Sequence, residues 1–131
     1  MRPSDLGWVK TLPGLDLAGA EERVKAALKE EGFGVLTRID VAETLRQKLG
    51  VHFKPYVILG VCNPEVAHQV LSHDDAAGLL LPCNVVLTEE PEGVQVALAR
   101  PQAMFRMVGS AESVPAVEEA EAKIRRVFER L

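Results

Sequence analysis

The stretch KPYVILGVCNPEVAHQVL, residues 54–71, decides how this chain folds. Tyr56 to Cys62 is a nearly continuous apolar run, rich in branched residues and bounded by prolines, which predicts a strand buried on both faces. Asn63 and Pro64 stop it. Asparagine is a strong helix N-cap and proline suits the first helical position, so NPEVAHQVL predicts a helix starting directly off that strand. Gly60 leaves room for a ligand to approach, and the helix N-terminus favours an anion, although Glu65 opposes one there.

Working outward toward the N-terminus, Leu6 to Thr11 reads as a short strand and Pro13 with Gly14 as a turn. Asp16 caps a helix from Leu17 to about Glu31, with Leu17, Val24, Ala27 and Leu28 at helical spacing and a Glu21–Lys25 pair on the outer face. Phe33 to Ile39 predicts a strand in which Phe33, Val35, Thr37 and Ile39 share one side. Asp40 and Glu43 open a short helix ending at Gly50, with Val41, Leu45 and Leu49 as a narrow stripe. Toward the C-terminus, Ser72 to Leu81 reads as loop or broken helix. Asn84 to Glu90 and Val94 to Arg100 form a hairpin about Pro91 and Gly93, and Pro115 to Leu131 is an amphipathic helix.

Two long helices and about five strands, with a hairpin late in the chain, predict an α+β fold in which helices pack on one face of a mainly antiparallel sheet. Residues 1–131 fit a single domain, since a chain of this length closes one core. The chain is 47% apolar and 26% charged, as expected of a folded globular protein. The net charge of -4, with basic residues interleaved among acidic ones, argues against nucleic acid as a partner. MRPSDLGW has Pro3 and Asp5 where a signal peptide needs an apolar stretch, and no run is long enough for a membrane helix, so the expected location is cytoplasmic. Scarce asparagine beside abundant leucine, arginine and glutamate is a thermophile-like composition.

The two cysteines, Cys62 and Cys83, are each followed by one of the chain's two asparagines, Asn63 and Asn84. These four residues are the candidate ligand-binding set. Three readings are open for the cysteines: small apolar packing groups, a metal, redox or sulfur-handling pair, or a disulfide. Their spacing is not that of close-set zinc ligands. His68, His73, Asp74 and Asp75 complete a mixed ligand set if the fold gathers them, whereas His52 stands alone beside Phe53. The chain holds no nucleophile elbow, Walker loop, dinucleotide fingerprint or zinc-protease motif, so reaction and cofactor are unassigned.

The pieces FGVLTRID, KPYVILGVCNPEVA, LLLPCNVVLTEE and VQVALARPQAM, with the closing helix, resemble the bacterial and archaeal family named domain of unknown function 302. The resemblance implies a TATA-binding-protein-like arrangement: a strand, a helix, four strands and a helix around a curved antiparallel sheet. It implies a homodimer and brings no activity. The residues matching the family pattern are Cys62, Asn63, Pro64, Pro82, Cys83 and Asn84. Two functional expectations follow. One is a domain that binds a small ligand or metal, or performs thiol chemistry, around the Cys-Asn pairs. The other is a non-catalytic homodimeric interaction module with both cysteines structural.

Overall fold

The computed structural model describes residues 5–106 and 115–131. Strand β1 (Gly7–Leu12) leads to helix α1 (Leu17–Glu30), then β2 (Gly34–Asp40), α2 (Val41–Leu49), β3 (Tyr56–Cys62) and α3 (Pro64–His73). A 3₁₀ turn over Asp75–Leu80 precedes β4 (Cys83–Glu90) and β5 (Gly93–Ala99). A short α4 (Pro101–Phe105) and the closing α5 (Pro115–Arg130) complete the described chain. The strands form one antiparallel sheet in the order β1-β5-β4-β3-β2, so the fold is α+β. Strand, helix, four strands and helix follow one another as the resemblance implied, with α2, α3 and α4 inserted in the connections.

Local chemistry sets most of these boundaries. The Asp16 carboxylate accepts from the Gly19 N–H at 2.8 Å, and Asp40 does the same for Glu43 at 2.9 Å, satisfying donors that a helix start leaves free. Gly50 ends α2 in the left-handed region at φ 68°, where its N–H reaches the Arg46 carbonyl. The 3₁₀ turn is the element that occupies the stretch expected as loop or broken helix.

Strands β3, β4 and β5 turn alternate apolar side chains toward one side. Val57, Leu59, Val61, Val85, Leu87, Val94, Val96 and Leu98 are all buried there, beneath Val24 and Leu28 of α1 and Ile124 and Val127 of α5. Each such side chain contributes about 1.5–3 kcal/mol relative to exposure. A smaller cluster fills the space between α3, the 3₁₀ turn, α4 and α5, around Val70, Phe105 and Val117. Alanines at 116 and 120 let α5 come close to these short elements.

Three sequence expectations change. Strand β3 is not fully buried throughout: Val57, Leu59 and Val61 face the long helices, whereas Tyr56 and Ile58 on the other side are half-buried, as is Cys62 at the strand end. The pairing of β2 with β3 shifts between Val35 and Thr37, so a bulge breaks the expected alternation. Phe33 and Val35 pack on the core, while Thr37 and Ile39 share the opposite face with Gly60 and Ile58. Finally, Glu21 does not sit on an outer face. It is buried between α1 and β2, bonded to Arg38 at 2.9 Å and Lys25 at 3.1 Å.

Two further carboxylates fasten α5. Glu31, just past α1, receives Arg126 at 2.7 Å and Arg130 at 3.1 Å. Glu121 is buried and accepts from Arg100 at 2.9 Å and from the Gln102 N–H at 3.1 Å, joining α5 to the end of β5 and the start of α4. Removing one partner of such a buried pair strands the other, so Glu121→Ala is expected to lower stability by about 2–3 kcal/mol in urea unfolding.

Burial pushes the Glu21 carboxyl up, but Arg38 and Lys25 outweigh it and hold it below the usual carboxylate range. The hydrogen bond from Arg126, aided by Arg130, holds Glu31 low as well. Depressed folded-state values mean that the stabilisation is complete above the ordinary glutamate pKa near ~4.3 and is lost as pH falls through the folded values. The urea midpoint is therefore expected to fall on acidification below pH ~4.3, and to fall less steeply in a Glu21→Gln, Glu31→Gln double variant.

Candidate functional site

Antiparallel pairing of β3 with β4 sets Gly60 opposite Asn84 and Val61 opposite Cys83, so the two Cys-Asn pieces lie side by side, one residue out of step. Tertiary structure then gives their members different work. Asn63 is 6% exposed; its Oδ1 accepts the Val66 N–H at 3.3 Å and its Nδ2 donates to the Glu31 carbonyl at 3.4 Å. One side chain thus caps α3 and ties it to the end of α1. The same cap occupies the N-terminus of α3, and Glu65 stands in the first turn.

Both cysteines are free thiols. Burial pushes the Cys83 thiol up to about 11, with the proximity of Cys62 adding to the shift, and burial raises Cys62 as well. A thiol near 11 is ionised in only about one molecule in ten thousand at neutral pH. The pair borders a cavity of about 20 Å³ closed by Phe33, Val66, Phe105 and Ala120. That space holds one water at most.

Gly60 does not admit a ligand. A side chain there would run into the Thr37 hydroxyl and come within 2.7 Å of Pro82 Cγ, so the vacant volume is already filled by neighbouring strands. The histidines remain apart: His68 and His73 are exposed on α3, and His52 is exposed beyond α2. Asp74 caps the 3₁₀ turn through the Ala76 N–H at 2.9 Å. Among the described residues no three of His, Cys, Asp and Glu come together to hold a metal ion, so the mixed ligand set is not assembled.

Asn84 alone of the four candidates turns outward, onto the sheet face that the long helices leave uncovered. By register, β3 places Tyr56 and Ile58 on this face, and β4 places Asn84, Val86 and Thr88. Val9 comes from β1, Ile39 from β2, and Gln95, Ala97 and Ala99 from β5. None of these carries a charge. At the rim Glu90 is paired with Lys54 at 2.6 Å. A groove of about 550 Å³ crosses the face, floored by β1, β5 and β4 and walled by Leu79–Pro82 and Met104, with Cys83 and Asn84 along it. Sequence reasoning missed this groove, although VQVALA signals it: a strand with Ala97 and Ala99 opposite Val96 and Leu98 is apolar on both sides.

No helix among the described residues is long and apolar enough to cross a membrane. A five-stranded antiparallel sheet with helices on one face and an uncharged second face defines a small α+β domain. The chain belongs to the family of the domain of unknown function DUF302, whose family model matches residues 8–131. It is similar to the crystal structure of an uncharacterized conserved DUF302 protein from Bacillus stearothermophilus, with a TM-score of 0.85 and 28% identity, covering 97% of this chain and 98% of that one. None of the curated proteins matches the chain.

The division of labour among the four residues is measurable. Asn63→Ala is expected to cost about 1–2 kcal/mol of stability through the lost cap, whereas Asn84→Ala stays within about 0.5 kcal/mol. Native protein titrated with a thiol-reactive disulfide at mildly alkaline pH is expected to label Cys83 about tenfold or more slowly than denatured protein, because burial raises the thiol and leaves little of it ionised.

Proposed function

We propose that this domain is a non-catalytic homodimeric interaction module of the cytoplasm, with both cysteines structural, in which two copies pack through their uncharged sheet faces. The observation that carries the reading is the chemistry of that face. An antiparallel sheet that ends at water normally alternates to polar residues on its wet side, yet here Val9, Ile39, Ile58, Val86, Ala97 and Ala99 stand half-exposed or exposed. Such a surface is favoured when a partner removes it from water. A two-fold contact sets like residues near like, and a face without charges brings no like-charge repulsion to that arrangement. Five strands of about seven residues give a face of roughly 450 Å² in projection, before side-chain relief, near the ~600 Å² per partner that small specific interfaces bury.

Free thiols with raised pKa values favour packing over the thiol or metal alternative, and they accord with a reducing compartment. Sedimentation equilibrium of the full chain at micromolar concentration is expected to give twice the chain mass. Ile58→Lys, which puts a lysine on the face midway along β3, is expected to give folded monomer at a cost to association of about 3 kcal/mol or more. A wild-type chain that sediments as a monomer sinks the proposal.

A further inference from the structure

The groove beside Asn84 supports an inference that goes beyond dimerisation: it lies on the same sheet face, so a small molecule bound there and a second copy would compete for Val9, Val86 and Ala97. Its floor is made low by small residues: Ala97 and Ala99 on β5 stand between Val9 of β1 and Val86 of β4. Its wall is high where Leu79, 88% exposed at the end of the 3₁₀ turn, stands over the sheet beside Met104. The volume of about 550 Å³ lies inside the range of small-molecule sites, roughly 300–1,000 Å³. None of the described residues around it is charged. A carboxylate or ammonium lying in the groove would give up water and find no counter-charge, so the lining selects against ions. The polar exception is the Asn84 amide, which makes no hydrogen bond among the described residues and offers both a donor and an acceptor.

We propose that this groove binds a neutral amphiphile, a small molecule with an apolar body and one hydroxyl, carbonyl or amide group, the body lying on Val9, Val86 and Ala97 and the polar group bonding to Asn84. Charge decides the class: the groove complements an uncharged occupant and penalises a charged one of the same shape.

The test is a fluorescence titration of the full chain with Nile red, a neutral apolar dye, followed by displacement with 1-decanol and with decanoate. Saturable dye binding is expected, with decanol displacing it at least tenfold more tightly than decanoate. Ala97→Trp, which fills the floor, is expected to weaken dye binding at least tenfold while the circular dichroism spectrum is unchanged. Ala99→Leu serves the same purpose if the tryptophan variant does not fold. Equal displacement by decanoate, absence of saturable binding, or a folded groove-filled variant that binds like wild type overturns the proposal. Because a partner copy would cover the groove, the titration is run at a protein concentration at which sedimentation without dye shows monomer, so loss of one reading is distinguishable from loss of the other.

Discussion

Burial of one face of the sheet beneath α1 and α5 is the interaction on which the remaining structure depends. The inward side chains of β3, β4 and β5 meet Val24, Leu28, Ile124 and Val127 in a single cluster, and the sheet register is thereby fixed. A slip of one residue would turn Val57, Leu59 and Val61 to the other face, forfeiting several side chains at about 1.5–3 kcal/mol each. The long helices cannot slide freely over this surface either. Glu31 anchors α5 to the end of α1, Glu121 anchors it to β5 and α4, and Glu21 anchors α1 to β2. Each of these carboxylates accepts a hydrogen bond from an arginine, so ion-pair geometry holds the same layers that apolar burial brings together.

That one-sided burial also creates the surface with functional character. The long helices and their ion pairs cover one face of the sheet, and the described residues leave the other face grooved, with Val9, Ile58, Val86 and Ala97 half-exposed on it. The doubled Cys-Asn motif belongs partly to each side. Cys62, Asn63 and Cys83 lie at the junction where the end of β3, the start of α3 and the start of β4 meet the end of α1, and their hydrogen bonds and burial serve that junction. Asn84 is left on the uncovered face. Two dipeptides that look equivalent in sequence are thus a joint and a surface mark, because alternation along β4 sends neighbouring side chains in opposite directions.

What the sequence by itself determined is what short-range chemistry controls. Asp16, Asp40 and Asn63 started their helices, Gly50 stopped one, the Pro91–Gly93 stretch turned the hairpin, and the spacing of Val117, Ala120, Ile124 and Val127 defined the buried side of α5. Each of these signals acts within about one turn of helix or one hairpin, so no partner distant in sequence is needed to read it. Of the candidate site, Cys62, Asn63, Cys83 and Asn84 were legible only as members of a doubled motif, and that Cys83 and Asn84 border a groove was not. Tertiary structure alone decided which face of β3 is covered, where β2 bulges, that Glu21 lies inside, and that Leu79 and Met104 wall a groove over Ala97 and Ala99. Those outcomes depend on which strands become neighbours and on which side the helices land, and they are settled by contacts between segments far apart in the chain. An apolar run says that a strand shuns water; it does not say what will keep the water away.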